Sequence, residues 1–419
     1  MRVLLVNKFF RPGAGAETAF FATRAMLTEA GHEVMDFAMA SADNDPSPDA
    51  RYFAPERDYA GGGSAFHRVR DAGASVYSLA ARRAIRRLLR ERRPDVAHLH
   101  NIYHQLTLSI VDELAAQDVP MVMTLHDYKI VCPAYTLYTE GAPCRRCVDG
   151  HPLHVIPHRC IKRSTAASAL GAAEAVLARA RGSYRAVHAF ISPSRFLADL
   201  AATAVPADRV HVVPNFLAAA CASEPEISAD REPIAFFAGR LDEVKGVREL
   251  LSAFRHVRPP GRLVIAGDGP LRQLVVGAAE RDPRIQYVGR VSAEEVAGRL
   301  RRAAVMVLPS LWEENCPMIV LEARAAGTPV VCAPSGGLPE LVEDGRDGLL
   351  IDPREPRALA AGIDRLLTDA ALRVAMARRG AERFERDHRP ERHRPRLLAV
   401  YRTAMSARPQ PRPRGTRRG

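Results

Sequence analysis

The sequence predicts an α/β protein of two domains, each a parallel sheet wound with helices. Three observations predict it. The 419 residues are too many for one ordinary core and a natural length for two. Short apolar runs that end in Gly- and Pro-containing loops alternate with segments of helical period. The sharpest such unit is residues 308–333, LPSLWEENCPMIVLEARAAGTPVVCA. There an apolar run (303–308) reads as a buried strand and 309–316 as a loop. Pro317 suits a first helical turn, Gly327 ends the helix, and 329–332 is the next strand.

Taken in order, residues 2–6 are a first strand, 7–16 a loop with Pro12, Gly13 and Gly15, 17–30 a helix and 32–38 a second strand. Residues 43–63 are polar and rich in Gly and Pro, hence a loop. Helix is expected over 64–93, strand over 94–100, helix over 107–117 and strand over 120–125. A long Ala-rich helix (166–187), a strand (189–194), a helix (196–204) and a strand (210–216) close the first domain. The composition of 217–232 (Ala, Ser, Glu and Pro) marks a linker. The second domain, 233–390, is read as strands at 234–237, 262–266, 285–288, 303–308, 329–332 and 348–351. Helices lie between them and a long one spans 356–386. A last helix covers 395–405, and the Arg/Pro-rich tail 406–419 is expected to be disordered.

Composition narrows the function. Hydrophobic content of 47% supports a folded chain. No run approaches the 20 or so apolar residues of a spanning helix, and the N-terminus reads as a strand rather than a signal peptide, so a cytoplasmic protein is expected. A net charge of +12 favours anionic partners. Residues 82–93, RRAIRRLLRERR, form a basic helix with Ile85, Leu88 and Leu89 on one side. It is read as a surface helix docked on the sheet, or as one that also touches an anionic membrane.

Several side chains are candidates for chemistry. Glu314 sits on the loop before a helix start, and Glu322 lies eight positions on. A carboxylate accepts paired hydroxyls well, and free N–H groups at a helix start hold anions or hydroxyls. The plain alternative is a solvated loop acid and an ordinary helix acid. Arg240 and Lys245 share a glycine-flanked loop before a helix, which suits a diphosphate. His126 ends a strand at the edge where such sheets do chemistry; a satisfied structural histidine is its alternative. The Gly13/Gly15 pair does not make a dinucleotide fingerprint, since the strand ends too early and Thr18 stands where a third Gly belongs. Cys132, Cys144, Cys147 and Cys160 lie close together in an insertion (132–160), and Cys144 and Cys147 form C-x-x-C. Four thiolates could close a structural zinc site, although a second C-x-x-C is missing. Reduced cysteines in a compact loop are the alternative.

The element Glu314-x7-Glu322 followed by EA-x-A-x-G-TPVV resembles the donor-site signature of retaining glycosyltransferases of family four. The resemblance extends along the chain: Pro12 to Glu17 (with Ala14 for the usual Gly), PDVAHLH at 94–100, VHVVPNF at 210–216, GRLDEVKG at 239–246, GDGP at 267–270 and SGGLPE at 335–340. It implies the GT-B arrangement, α/β with two Rossmann-like domains facing a cleft, and a last helix crossing back to the first domain. It implies a nucleotide diphosphate sugar donor, with Arg240 and Lys245 on the pyrophosphate and Glu322 on the ribose. Glu314 and the amides of Asn315 and Cys316 are implied for the sugar. Gly15, Gly267, Gly269 and Arg290 are implied near the nucleotide and phosphates, and His126, with Asp127 less directly, beside the transferred sugar. Pro317 replaces a Gly common in the family, which removes one amide from the sugar. The implied acceptor is a lipid-linked glycan in bacterial cell-surface polysaccharide synthesis, reached on the inner face of the membrane, with no cofactor for catalysis and no nucleic acid partner. Another GT-B reaction, a phosphorylase or an epimerase, is the competing enzyme. A polyanion- or membrane-surface-binding protein is the competing class.

Overall fold

The computed structural model describes residues 1–13, 15–56, 73–148, 151–218 and 227–407. The first sheet is built from β1 (Arg2–Val6), β2 (Glu33–Phe37), β3 (Val96–Leu99), β4 (Met121–Thr124), β5 (Ala189–Ser192) and β6 (Val210–Val212). Its order is β2-β1-β3-β4-β5-β6 and every pair is parallel. The second sheet comprises β7 (Glu232–Ala238), β8 (Arg262–Ala266), β9 (Ile285–Tyr287), β10 (Ala303–Leu308), β11 (Val330–Cys332) and β12 (Gly348–Leu350), in the order β9-β8-β7-β10-β11-β12. It too is parallel throughout.

The strands are continuous apolar runs because both faces of a parallel sheet are covered. Val3, Leu4, Leu5 and Val6 are fully buried, as are Val305, Met306 and Val307. Two cores flank each sheet. The helices that matter for the cleft are α1 (Gly15–Glu29), α2 (Leu79–Glu91), α3 (Thr165–Arg181), α4 (Arg195–Ala201), α5 (Val247–Phe254), α6 (Met318–Ala325) and α7 (Pro390–Ser406). Helix α7 belongs to the first domain's core, where Leu397, Val400, Tyr401 and Ala404 pack with Val3, Leu5, Val122 and Ile191. The Tyr401 hydroxyl lies 2.8 Å from His98 Nδ1.

The larger departures from the sequence reading are three. The expected helix 356–386 is two helices, Pro356–Thr368 and Ala370–Asp387, because Asp369 leaves helical geometry and caps the second one through Leu372 N. The last helix starts at Pro390 and carries Pro395 within its first turns. Of the helix expected over 64–93, the described residues form a helical turn at 73–76 and then α2; residues 57–72 lie outside the described residues, as does the tail 408–419. Ile85, Leu88 and Leu89 of α2 are buried as expected. Its basic side is partly spoken for: Arg82 and Arg86 both grip Glu113, and Arg87 donates to the Arg51 carbonyl. No described helix is long and apolar enough to cross a membrane.

Buried histidines give the fold a pH dependence. Burial lowers His98 to about 3 and His126, His388 and His393 to about 4, and lowers His100 well below its usual 6.5. A folded value below the unfolded one means that stability is full above pH 6.5 and is lost as pH falls toward 4. Each group can contribute up to about 1.4 kcal/mol per pH unit in that window. A melting temperature that falls steeply between pH 6.5 and 4 is expected; a flat profile there would contradict the buried, neutral imidazoles.

Candidate active site

Sheet order creates the site. The strand order of the second sheet reverses between the parallel strands β7 and β10, and a crevice opens outside the carboxyl ends of two such strands. Residue 239 follows β7 and residue 309 follows β10. The first loop makes one turn (Glu243–Lys245) capped by Asp242, whose carboxylate accepts from Lys245 N at 3.2 Å. Gly246 then takes φ +68° and starts α5. A Cβ there would lie 1.7 Å from the Pro309 carbonyl oxygen, so only glycine lets the two loops touch. Gly267 is alike: φ is +136° and a Cβ would sit 1.8 Å from the Gly239 carbonyl oxygen. Gly267 N donates to the Gly289 carbonyl at 2.7 Å, which joins the Arg290 turn to the same edge.

The loop after β10 carries the acids. Glu314 is 4% exposed. Its Oε1 accepts from Lys245 Nζ and from Ser310 Oγ, each at 2.6 Å. Lys245 Nζ also lies 5.0 Å from the centre of the Trp312 ring. The two residues expected on separate parts of a donor, Lys245 on phosphate and Glu314 on sugar, therefore rest on each other. The reason is electrostatic: a carboxylate this buried needs a cation or donors. Arg240 is the opposite case, 69% exposed in its side chain and, among the described residues, paired only with Asp242, at 3.1 Å. Arg290 is exposed.

Glu322 lies on α6, half-buried. Among the described residues its carboxyl has no hydrogen-bond or ion-pair partner, and burial alone pushes it up to about 7. A sheltered acid without a partner is what a ligand site leaves behind. The backbone N–H groups of Asn315 and Cys316 also lack an acceptor among the described residues. The side chain of Asn315 has a different task from its amide: Oδ1 accepts from Ser194 Oγ at 2.6 Å and Nδ2 donates to the Leu125 carbonyl at 3.1 Å. The Cys316 thiol is buried and pushed up to about 12.

The first domain supplies the opposite wall. Leu125 precedes His126, and Asn315 follows Glu314, so the Asn315–Leu125 hydrogen bond brings His126 and Glu314 to the same seam. His126 Nε2 lies 2.9 Å from His100 Nδ1, and the two rings stack at 5.1 Å. Burial and then the charge of Lys8 lower His126 to about 4, so its imidazole is neutral at neutral pH. Burial raises Asp127, which accepts from Lys129 N at 2.9 Å. A Cβ on Gly15 would meet Met318 Cγ at 3.6 Å, which sets the N-terminal loop against the first turn of α6. Met318 and Glu322 are four apart and share a helix face.

Further residues that the sequence reading did not single out close the seam. Glu340 accepts from the backbone N–H groups of Arg195 and Phe196 at 2.7 Å each, at the N-terminus of α4. Asn215 Nδ2 donates to the Cys316 carbonyl at 3.1 Å. The Tyr128 hydroxyl donates to the Glu313 carbonyl at 2.8 Å, and Arg145 Nη2 lies 2.6 Å from Glu313 Oε1. Asn215 and Glu340 lie in the motifs at 210–216 and 335–340, and Glu313 stands beside Glu314 in the sequence, but nothing local shows which groups they meet.

The cysteines fall elsewhere. Cys132 and Cys147 are buried in the first domain's core, and Cys160 packs against it. Burial, with the neighbouring Cys132, Cys160 and Cys144, pushes the Cys147 thiol up to about 12. Among the described residues no three Cys, His, Asp or Glu side chains are placed to hold a metal ion. Cys132, Cys144, Cys147 and Cys160, the expected zinc ligands, lie near one another. Close thiols kept neutral by an apolar surrounding pack as small hydrophobic groups.

Comparison with known proteins agrees with this architecture. The model of glycosyltransferase family 4 matches residues 13–219, and that of glycosyl transferases group 1 matches residues 222–383. A glycogen synthase of Mycobacterium tuberculosis is 33% identical over 184 residues, 42% of this chain and 44% of that protein. A D-inositol 3-phosphate glycosyltransferase of an Arthrobacter species is 38% identical over 156 residues, 35% of this chain and 37% of that protein. The chain thus matches less than half the length of these curated relatives. The crystal structure of Anabaena HepE in complex with UDP and glucose superposes with a TM-score of 0.69 at 16% identity, covering 96% of this chain and all of that one.

Proposed function

The chain belongs to the family-four type of glycosyltransferases with the GT-B fold, and we propose that it moves a sugar from a nucleotide diphosphate sugar to an acceptor hydroxyl with retention at the anomeric carbon. The observation that carries this reading is Glu322, a sheltered carboxyl with no partner among the described residues, on the helix that follows the loop whose Asn315 and Cys316 amides also lack an acceptor there. Such a set matches a ligand rich in hydroxyls. HepE, which is similar in fold, binds UDP and glucose, and this supports a nucleotide sugar as donor here.

In this proposal Glu322 accepts from the two ribose hydroxyls. The exposed Arg240 guanidinium and the Lys245 ammonium meet the diphosphate, where negative charge grows as the bond breaks. Lys245 turns from Glu314 to the phosphate, and Glu314 then accepts from sugar hydroxyls together with the Asn315 and Cys316 amides. The anomeric carbon–oxygen bond breaks with its electrons on the diphosphate. The acceptor oxygen bonds to the same face, and its proton passes to the departing phosphate oxygen. His126, neutral, hydrogen-bonds the sugar without adding positive charge near a carbon that is becoming cationic. Gly15 lets the N-terminal loop approach this centre. An acceptor at a lipid surface, serving cell-surface polysaccharide at the inner face of the membrane, is consistent with the exposed Arg83 and Arg90 on α2.

The test is thermal stabilisation by UDP-, GDP- and ADP-sugars at millimolar concentration. One donor set is expected to raise the melting temperature by several degrees, as binding at 100 times Kd stabilises by about 2.7 kcal/mol. No shift with any of the three would overturn the assignment of this cleft. Release of nucleoside diphosphate only when an acceptor is added separates transfer from epimerase chemistry.

A further inference from the structure

We infer that Arg145, carried by the Cys-rich segment of the first domain, is a positioning residue for the loop that holds the donor sugar, acting across the cleft through Glu313. This rests on the donor reading of Glu314 given above. Before Arg145 the chain makes a short hairpin, Tyr138–Thr139 against Ala142–Pro143, and Cys144 N donates to the Leu137 carbonyl at 2.6 Å. That hairpin sets the angle at which Arg145 leaves the first domain. Its guanidinium lies over the Phe196 ring, 5.1 Å from the centre, which restricts a long side chain to one direction. In that direction Nη2 reaches Glu313 Oε1 at 2.6 Å.

Glu313 is a poor place for a carboxylate without this partner. Its side chain is 11% exposed, and Oε2 is buried with no hydrogen-bond partner among the described residues. If Arg145 is removed, the loop must move to bring Glu313 to water. Glu314 is the next residue, and consecutive Cα atoms are about 3.8 Å apart, so it moves too. The other first-domain contacts hold main chain or amides: Tyr128 on the Glu313 carbonyl, Leu125 and Ser194 on Asn315, Asn215 on the Cys316 carbonyl. Arg145 alone among them balances a charge on this loop. The Cys-rich segment therefore ties the geometry of the sugar site to contact between the two domains.

The experiment is amide hydrogen exchange by mass spectrometry on the full chain without any donor, for wild type, Arg145→Ala, Arg145→Lys and the swapped pair Arg145→Glu with Glu313→Arg. In Arg145→Ala the peptide covering 309–317 is expected to exchange about tenfold faster, while residues 194–197, held to the second domain by Glu340, stay as in wild type. Arg145→Lys and the swapped pair are expected to restore slow exchange in 309–317. Unchanged exchange in Arg145→Ala overturns the inference. An equal rise at 309–317 and 194–197 also overturns it, since the ion pair would then only glue the domains. A parallel melt with millimolar UDP reads the donor site separately: loss of UDP stabilisation in wild type tells against the donor reading, not against the Arg145 contact.

Discussion

Glu322→Gln is expected to abolish donor binding while making the donor-free protein more stable at pH 8. The carboxylate that would accept two hydroxyls becomes a weaker, uncharged acceptor. Hydrogen bonds to a charged group contribute about 1.5–3 kcal/mol each, so donor affinity should fall by roughly 100-fold or more. Stability moves the other way. Burial raises the folded value from 4.5 to about 7. An acid whose folded value is raised destabilises the fold as it ionises, so its contribution is harmless below pH 4.5 and fully unfavourable above about 7. Removing it should return on the order of 3 kcal/mol at pH 8 and almost nothing at pH 4. Melting curves of both proteins at pH 4.5 and 8, with and without the donor selected from the panel, decide the matter. A Gln variant that binds donor as wild type does, or that loses stability at pH 8, would show that Glu322 is an ordinary helix acid. The histidines act on the same axis with the opposite sign, and five of them outweigh one glutamate, so the whole protein still weakens in acid.

Lys245→Ala should damage both stability and transfer, whereas Arg240→Ala should damage transfer alone. Lys245 lies 2.6 Å from Glu314 Oε1, and the Glu314 side chain is 5% exposed. Removing the ammonium leaves that carboxylate, among the described residues, with only the Ser310 hydroxyl. Breaking a buried pair costs about 3–5 kcal/mol; Lys245 is itself 21% exposed, so the lower end applies. The same ammonium is assigned to the leaving diphosphate, where loss of one preorganised charge partner costs about 10²–10³ in kcat. Arg240 is exposed and bonded to Asp242, so its loss should change stability by no more than about 0.5 kcal/mol. Donor turnover in Arg240→Ala should nonetheless fall by an order of magnitude or more, with a weaker dependence on salt. Lys245→Ala with full donor affinity, or Arg240→Ala with wild-type turnover, would remove that residue from the phosphate site.

Much of this protein was legible before its structure. The strands were readable because both faces of a parallel sheet are buried, so each appears as an apolar run bounded by loop residues; β1 and β10 are cases. The residues proposed for the donor site were readable because they cluster on loops at strand ends, where Gly246 and Gly267 mark close backbone approach. The split at Asp369 was not readable, since helical period continues across it and only a cap interrupts it.

By itself the sequence determined the fold class, the glycine turns and the position of each acid and cation at the carboxyl edge of the second sheet, because these follow from local pattern. Only the tertiary structure decided which charges face each other. It paired Lys245 with Glu314, left Glu322 without a partner among the described residues, gave the Asn315 side chain to Ser194 and Leu125, and set Arg145 on Glu313. Those partners lie up to 190 positions apart in the chain. Burial at the seam between the domains makes each unpaired charge costly, and that cost appears only when both domains are in place.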